Sequence, residues 1–308
     1  MSADRPYLSV VIPTRDRADV LARTIAALAK QDAVEGGFEV VVADNGSGAD
    51  TKSALDRARQ SQRLQLRVVE EPRRGPAAAR NAASAAAAGE VLLLLGDDTE
   101  PATEELLASH AALHRAHPSE GYACLGRIEW TPRTPVTDFM RWLDNGGPQF
   151  HFHELAPGAV STEDHFYSSH LSLKRSALER AGGFDDRFPY AAVEDTDVGA
   201  RLADQGVRLH FHPELVVWHD HPTTIAQSLA RTERVGRSAA LYNRIRTDRP
   251  HARVREPRGA ARLLAPIATP SLGALARVPL PFGARRAVWS LAHRSAFATG
   301  YLKGPPTG

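Results

Sequence analysis

The chain has 308 residues and a mass of 33.4 kDa, with 43% hydrophobic and 24% charged residues, enough to bury a large core and unlike a disordered chain. A single cysteine, Cys124, excludes an intramolecular disulfide and a cysteine-based zinc site, which fits a reducing compartment. The net charge of +2 conceals an asymmetry: from Thr224 onward about fifteen Arg and Lys face about three Asp and Glu, so the body before them is acidic by about ten charges.

Residues 1–6 hold no signal-peptide core and no apolar stretch reaches the length of a membrane span, so a cytoplasmic location is expected. Residues 8–13 read as an apolar strand ended by Pro13, followed by a loop with Thr14, Arg15 and Arg17. Val20, Leu21, Thr24, Ile25 and Leu28 keep helical spacing over 18–31. A second buried strand over 38–43 ends in Asp44-Asn45-Gly46-Ser47-Gly48, and 49–61 and 66–70 read as helix and strand. Gly75 and Pro76 then open an Ala-rich helix running to 88, with the proline where a missing N–H costs nothing. Val91-Leu92-Leu93-Leu94-Leu95 has no alternation and reads as a strand buried on both faces, stopping in Gly96-Asp97-Asp98.

Strand and helix alternate throughout this half, which predicts an α/β fold with a Rossmann-like, mostly parallel sheet flanked by helices. Ligands of such sheets lie at the carboxyl ends of the strands. Asp97 and Asp98 are therefore placed at a ligand, where hard carboxylate oxygens suit Mg²⁺ or Mn²⁺ and, through it, a diphosphate. Taken alone, the pair would equally well cap the helix expected at 103–117. Asp44 can accept from a base or ribose, while Arg80 and the amides near Gly75 can meet phosphate. Neither a Gly-x-x-x-x-Gly-Lys-Ser/Thr loop nor a Gly-x-Gly-x-x-Gly turn follows the first strand, which argues against a nucleoside triphosphatase or a dinucleotide enzyme.

The ordered set Ser9-Val-Val-Ile-Pro-Thr-Arg-Asp-Arg17, Val41-Val-Ala-Asp-Asn-Gly-Ser47, Arg74-Gly-Pro-Ala-Ala-Ala-Arg-Asn81 and Asp97-Asp98 resembles the nucleotide-sugar half of glycosyltransferase family 2, with the GT-A fold. The resemblance implies that Asp44 contacts the base and Asp98 holds the divalent metal. Gly96 departs from the common pattern, which frequently has a carboxylate there.

Beyond 117, residues 122–130 read as a strand, and 131–166 lack clear periodicity. A long irregular stretch in a compact domain is usually functional or mobile. It is read as an acceptor-side lid, with Trp142 and Phe150 offering faces to a sugar or apolar aglycone, although such rings also plug cores. A strand turning into a helix over 172–183, the Gly182-Gly183-Phe184-Asp185 stretch and Glu194-Asp195 at a helix head resemble the acceptor-side signature of the same family. By that resemblance Asp195 is the general base, with Glu194 beside it as a hydrogen-bonding partner of the acceptor. Acidic residues at a helix N-terminus also have a purely structural reading against the dipole. Strands at 207–211 and 215–218 lead to His219, which matches a metal-binding position of the family. His210, His212 and His221 are expected at the surface or in a supporting role.

The expected organisation is a GT-A body over 1–223, with a nucleotide-sugar half at 1–117 and an acceptor half at 118–223, and a basic, mainly helical C-terminal extension over 224–308. In the extension, Leu229, Val235, Ala239, Leu241 and Ile245 alternate with arginines at helical spacing. It suits packing on the acidic body, a homodimer or peripheral contact with an anionic membrane; nucleic acid is not an expected partner, because no aromatics interleave the basic residues. The leading expectation is inverting transfer of a sugar from a nucleoside diphosphate carrier, UDP first, to a small-molecule, glycan or lipid-linked acceptor hydroxyl. A sugar-phosphate nucleotidyltransferase and a non-catalytic nucleotide-sugar binder are the alternatives; the first wants a Gly-rich, Lys- or Arg-bearing loop after the first strand, which 13–16 do not supply.

Overall fold

The computed structural model describes residues 5–61, 64–160, 164–251 and 254–305. Parts of the expected lid (161–163) and of the C-terminal extension (252–253 and 306–308) lie outside the described residues. The chain divides into two compact units: residues 1–134, 155–189 and 194–221 form one, and residues 135–154, 190–193 and 222–308 the other. The insert 135–154, expected in the acceptor half of the body, is grouped with the C-terminal extension instead.

The first unit is built on one sheet. Among the described residues its strands are β1 (Leu8–Thr14), β2 (Phe38–Asp44), β3 (Leu66–Glu70), β4 (Val91–Leu95), β5 (Thr99–Pro101), β6 (Tyr122–Trp130), β7 (His170–Lys174) and β8 (Arg208–His219). Their order is β3-β2-β1-β4-β7-β6-β8-β5. β1 to β4 run parallel, as the strand and helix alternation predicts, whereas β7 enters antiparallel to both β4 and β6, and β5 pairs antiparallel to β8. The sheet is therefore parallel in its first half and mixed in its second. All five residues of β4 are buried, the physical meaning of its unbroken apolar run. The two strands expected at 207–211 and 215–218 are one, whose pairing with β6 shifts register between Gly126 and Arg127.

Helices α1 (Ala18–Leu28), α2 (Ala49–Gln60), α3 (Pro76–Ala86) and α4 (Leu106–Ala116) join the first strands. α1 buries Leu21, Thr24, Ile25 and Leu28, the face its spacing predicts. α4 begins at Leu106, later than the expected 103, after the short strand β5.

In the second unit, the segment read as irregular contains α5 (Asp138–Asp144), with Thr137 accepting the amide of Met140 as its N-cap, and a 3₁₀ turn at Phe152–Glu154. The first unit continues with α6 (Arg175–Arg180), and α7 (Val193–Asp204) carries the second acidic motif. Helices α8 (Ile225–Ile245), α9 (Ala260–Leu275) and α10 (Phe282–Lys303) follow. Phe139, Trp142, Leu143, Ala276, Trp289 and Ala292 form one buried cluster, edged by Ile225, Leu229, Leu272 and Val288. None of the helices among the described residues is long and apolar enough to cross a membrane.

Candidate active site

The carboxyl ends of β1, β2 and β4 converge on one edge of the first unit. Thr14, the last residue of β1, donates its hydroxyl to Asp97 Oδ2 at 2.8 Å, and Thr24 from α1 donates to the Asp97 carbonyl at 2.8 Å. Arg17 reaches across with its Nε 3.5 Å from Asp97 Oδ1 and a terminal nitrogen 2.6 Å from Asp98 Oδ2. Burial and the neighbouring Asp98 push the Asp97 carboxyl up to about 7, against the opposing charge of Arg17. Burial would raise Asp98 too, but His219, His221 and Arg17 hold its carboxyl well below the usual range.

The three-residue strand β5 accounts for that surrounding. Thr99 pairs with His219, and the Asp220 amide donates to the Asp98 carbonyl at 2.8 Å, so the residues after β8 fold back over the residues after β4. His219 Nε2 lies 3.4 Å and His221 Nδ1 3.3 Å from Asp98 Oδ2. One donor atom from each of Asp98, His219 and His221 falls within 4.8 Å of the others, a spacing that fits a divalent ion. Asp220 points instead to Arg23, 2.6 Å away, and Arg133 pairs with Glu100.

The loops beside this edge are fixed by amide side chains that the sequence did not single out. Asp44 is buried and accepts the Ser47 amide at 2.9 Å. Asn45 donates to the carbonyls of Glu71 and Arg73 and accepts the Gly75 amide at 2.9 Å, tying the loop after β2 to the start of α3. Gly75 sits at φ 134°, which a side chain would strain. Pro13 lies in β1 opposite Ala43, and Arg15 is half-buried beside Asp16, 3.6 Å away.

The second acidic motif is built into the same unit. Asn81 exchanges hydrogen bonds with both the amide (2.9 Å) and the carbonyl (2.8 Å) of Phe184, joining α3 to the Gly-Gly-Phe-Asp stretch. The Asp195 carboxylate accepts the Ser168 amide at 3.1 Å, and the next residue, Ser169, accepts the Gly96 amide at 3.2 Å. One strand-entry segment thus links the Asp97-Asp98 turn with Asp195.

Three expectations are corrected here. Arg80, read as a phosphate contact, is 7% exposed and donates to the fully buried Glu194 at 2.9 Å, with Asp195 at 3.9 Å and the Phe184 ring beneath its guanidinium at 5.4 Å. A buried carboxylate needs a counter-charge, and Arg80 supplies it. Glu194 is accordingly an internal ion-pair partner rather than an acceptor contact; burial and Asp195 push its carboxyl up to about 7. Trp142 is also corrected: it is 4% exposed, its ring packed against Phe139 and Trp289, so it is a core residue of the second unit. Phe150 is half-buried with its ring 5.6 Å from Phe152.

Comparison with known proteins agrees with the motifs. The profile of glycosyl transferase family 2 matches residues 9–181, and that of glycosyl transferase family group 2 matches residues 132–302. Validoxylamine A glucosyltransferase of Streptomyces hygroscopicus subsp. jinggangensis is 28% identical over 66% of this chain and 52% of its own length. Pre-mycofactocin glycosyltransferase of Mycobacterium tuberculosis is 29% identical over 76% of this chain and 47% of its own. The chain thus spans about half the length of these curated relatives. A mannosyltransferase from Pyrobaculum calidifontis, solved with GDP-Man and Mn²⁺, superposes with a TM-score of 0.63 at 25% identity, covering 96% of this chain and 86% of that one. TarS of S. aureus shares the fold, with a TM-score of 0.56 at 19% identity over 96% of this chain and 90% of that one.

Proposed function

The chain belongs to glycosyl transferase family 2, and from that premise we propose that it transfers a sugar from a nucleoside diphosphate carrier to an acceptor hydroxyl, with inversion at the anomeric carbon. The observation that supports this best is the bridge through Ser168 and Ser169, which holds a metal-competent carboxylate, Asp98, and a base-competent one, Asp195, on neighbouring segments of one edge.

In this reading Asp44 receives the base, and Asp98 and His219 hold Mg²⁺ or Mn²⁺. Such an ion, when bound, supplies Lewis-acid stabilisation of the leaving diphosphate. Arg17 is half-buried between two carboxylates and can turn a charged fork toward the phosphates. Asp195 takes the proton of the acceptor hydroxyl as its oxygen bonds to the anomeric carbon and the bond to the diphosphate oxygen breaks. The nucleoside diphosphate leaves on the opposite face. General-base help of this kind is worth about 10²–10⁴ in rate. The Arg80–Glu194 pair keeps Asp195 in place and supplies a cation close to it. Arg277, Arg285 and Arg286 flank the exposed Leu275, Val278 and Phe282 around the turn before α10, which supports peripheral contact with an anionic membrane and a lipid-linked acceptor.

The test is calorimetric titration with UDP, GDP and dTDP, with Mn²⁺ or with chelator, on the full chain, Asp98→Ala and Asp195→Asn. One nucleotide is expected to bind in the micromolar range only with metal and only with Asp98 intact, and UDP is the first candidate. Asp195→Asn is expected to keep that affinity and lose about 10²–10⁴ in turnover of the matching sugar donor. Tight, metal-dependent binding with no transfer to any acceptor would instead identify a nucleotide-sugar binder.

A further inference from the structure

The reading above assigns the metal to Asp98 and His219; resting on it, we propose that His221 is a third ligand, which makes a two-imidazole, one-carboxylate site that selects Mn²⁺, Co²⁺ or Zn²⁺ over Mg²⁺. His219 and His221 are two residues apart in extended chain, so their side chains share a face while Asp220 between them turns to Arg23. Their rings are parallel within 7°, with centroids 5.4 Å apart, and Trp130 backs His219 at 5.2 Å. The pair is therefore positioned before any ion arrives.

The hydrogen bonding fixes which atom of His221 faces the centre. A guanidinium only donates, and an Arg17 terminal nitrogen lies 3.2 Å from His221 Nδ1 and 2.6 Å from Asp98 Oδ2. Nδ1, 3.3 Å from the same Asp98 oxygen, is therefore the ring nitrogen that faces the centre. Arg17 places a positive charge where the donors meet, and an incoming cation would compete with it.

Neighbouring residues leave the third position to His221. Gly96 has no side chain and so brings no carboxylate to Asp98. Asp97 is engaged by Thr14 and Arg17. An imidazole thus stands in the ligand set where a carboxylate would add a second negative charge. Imidazole donors suit first-row transition metals, whereas Mg²⁺ favours oxygen and retains its waters.

A separate donor set, His151, His153 and Glu154, lies in the second unit, so the experiment uses the full chain carrying His153→Ala. Co²⁺ binding is followed by its visible absorption, and Mn²⁺ and Mg²⁺ binding by calorimetry. His221→Ala is expected to weaken Co²⁺ and Mn²⁺ by at least the roughly ten- to hundredfold that loss of an outer-shell partner costs. It should change the Co²⁺ spectrum and move Mg²⁺ affinity by less than about twofold, narrowing the selectivity expected of borderline over hard cations. His221 is 45% exposed on its side chain, so the substitution leaves the core intact. Unchanged Co²⁺ affinity and spectrum in His221→Ala, with binding lost in Asp98→Ala and His219→Ala, would overturn the inference and leave the donor site standing. Binding retained in all three variants would overturn the metal site itself.

Discussion

Arg80 and Glu194 form a buried ion pair whose worth differs greatly according to how it is broken. Removing the cation leaves a carboxylate with 0% exposure, and one of its oxygens, Oε2, has no hydrogen-bond partner among the described residues. Uncompensated buried charges of this kind cost about 3–5 kcal/mol, whereas replacing both members by neutral groups of similar size costs much less. Arg80→Met is therefore expected to lower stability by about 3–5 kcal/mol in urea unfolding, and Arg80→Met with Glu194→Gln to recover most of it. Equal losses in the single and double variants would show that the guanidinium acts through packing on Phe184 instead. The pairing also explains why residue type alone misassigned Arg80: an arginine at the head of a helix beside a glycine has the chemistry for phosphate, and only the tertiary position of α7 reveals a nearer carboxylate.

Elements with unbroken apolar runs were legible because burial on both faces leaves no other pattern: β1, β2 and β4 lie where their residues predict. β5 was not, since three residues carry no periodicity, and without β5 nothing in the sequence brings His221 to Asp98. The clamps made by Asn45 and Asn81 were hidden for the same reason, because their partners lie across loops. α5 did carry a signal in Thr137 as cap and in Phe139, Met140, Trp142 and Leu143 at helical spacing, diluted by the glycines and prolines around it. In the second unit, α8 and α10 meet through glycines. A Cβ on Gly236 would lie 2.1 Å from the Phe297 carbonyl oxygen, and one on Gly300 would lie 1.8 Å from that of Glu233. Neither backbone can give way cheaply, so Gly236→Ala and Gly300→Ala are each expected to cost about 1–3 kcal/mol or more through overpacking. Gly273→Ala in α9 meets only Leu229 Cδ1 at 3.5 Å, ordinary contact, and should gain up to about 1 kcal/mol of helix propensity. Thermal melts followed by fluorescence of Trp142 and Trp289 separate these outcomes, and a neutral Gly300→Ala would contradict the close crossing.

At the scale of the whole molecule, the two units differ in how many buried histidines each must keep neutral. In the first unit, His170 Nδ1 donates to the Arg127 carbonyl, so its Nε2 accepts from His110 at 3.1 Å. His110 Nδ1 then accepts the Ser172 hydroxyl at 2.8 Å, and Ser172 accepts His114 Nε2 at 2.9 Å. Each ring has one tautomer and no place for a second proton. Burial pushes all three down from 6.5, His114 to about 3, His170 to about 4 and His110 well below its usual range. Below pH 6.5 the unfolded chain binds protons at these rings that the folded chain refuses, so their contribution to stability falls with falling pH. Where all three are charged only when unfolded, they contribute a slope of about 4 kcal/mol per pH unit. In the second unit the buried His293, between Ser228 and the Trp289 carbonyl, is also shifted down by burial. Trp130 and Trp218 report the first unit, Trp142 and Trp289 the second. Asp97 and Glu194, whose carboxyls are pushed up to about 7, take up protons in the folded first unit over the same range and offset about 2.7 kcal/mol per pH unit of the histidine slope, so the histidine share is read in urea unfolding between pH 6.5 and 4.5 by comparing the chain with its His114 variant. His114→Gln, which keeps a donor for Ser172 and cannot be charged, should flatten that slope by about 1.4 kcal/mol per pH unit. A slope that His114→Gln leaves unchanged would show that the histidine chain does not set the acid response of the first unit.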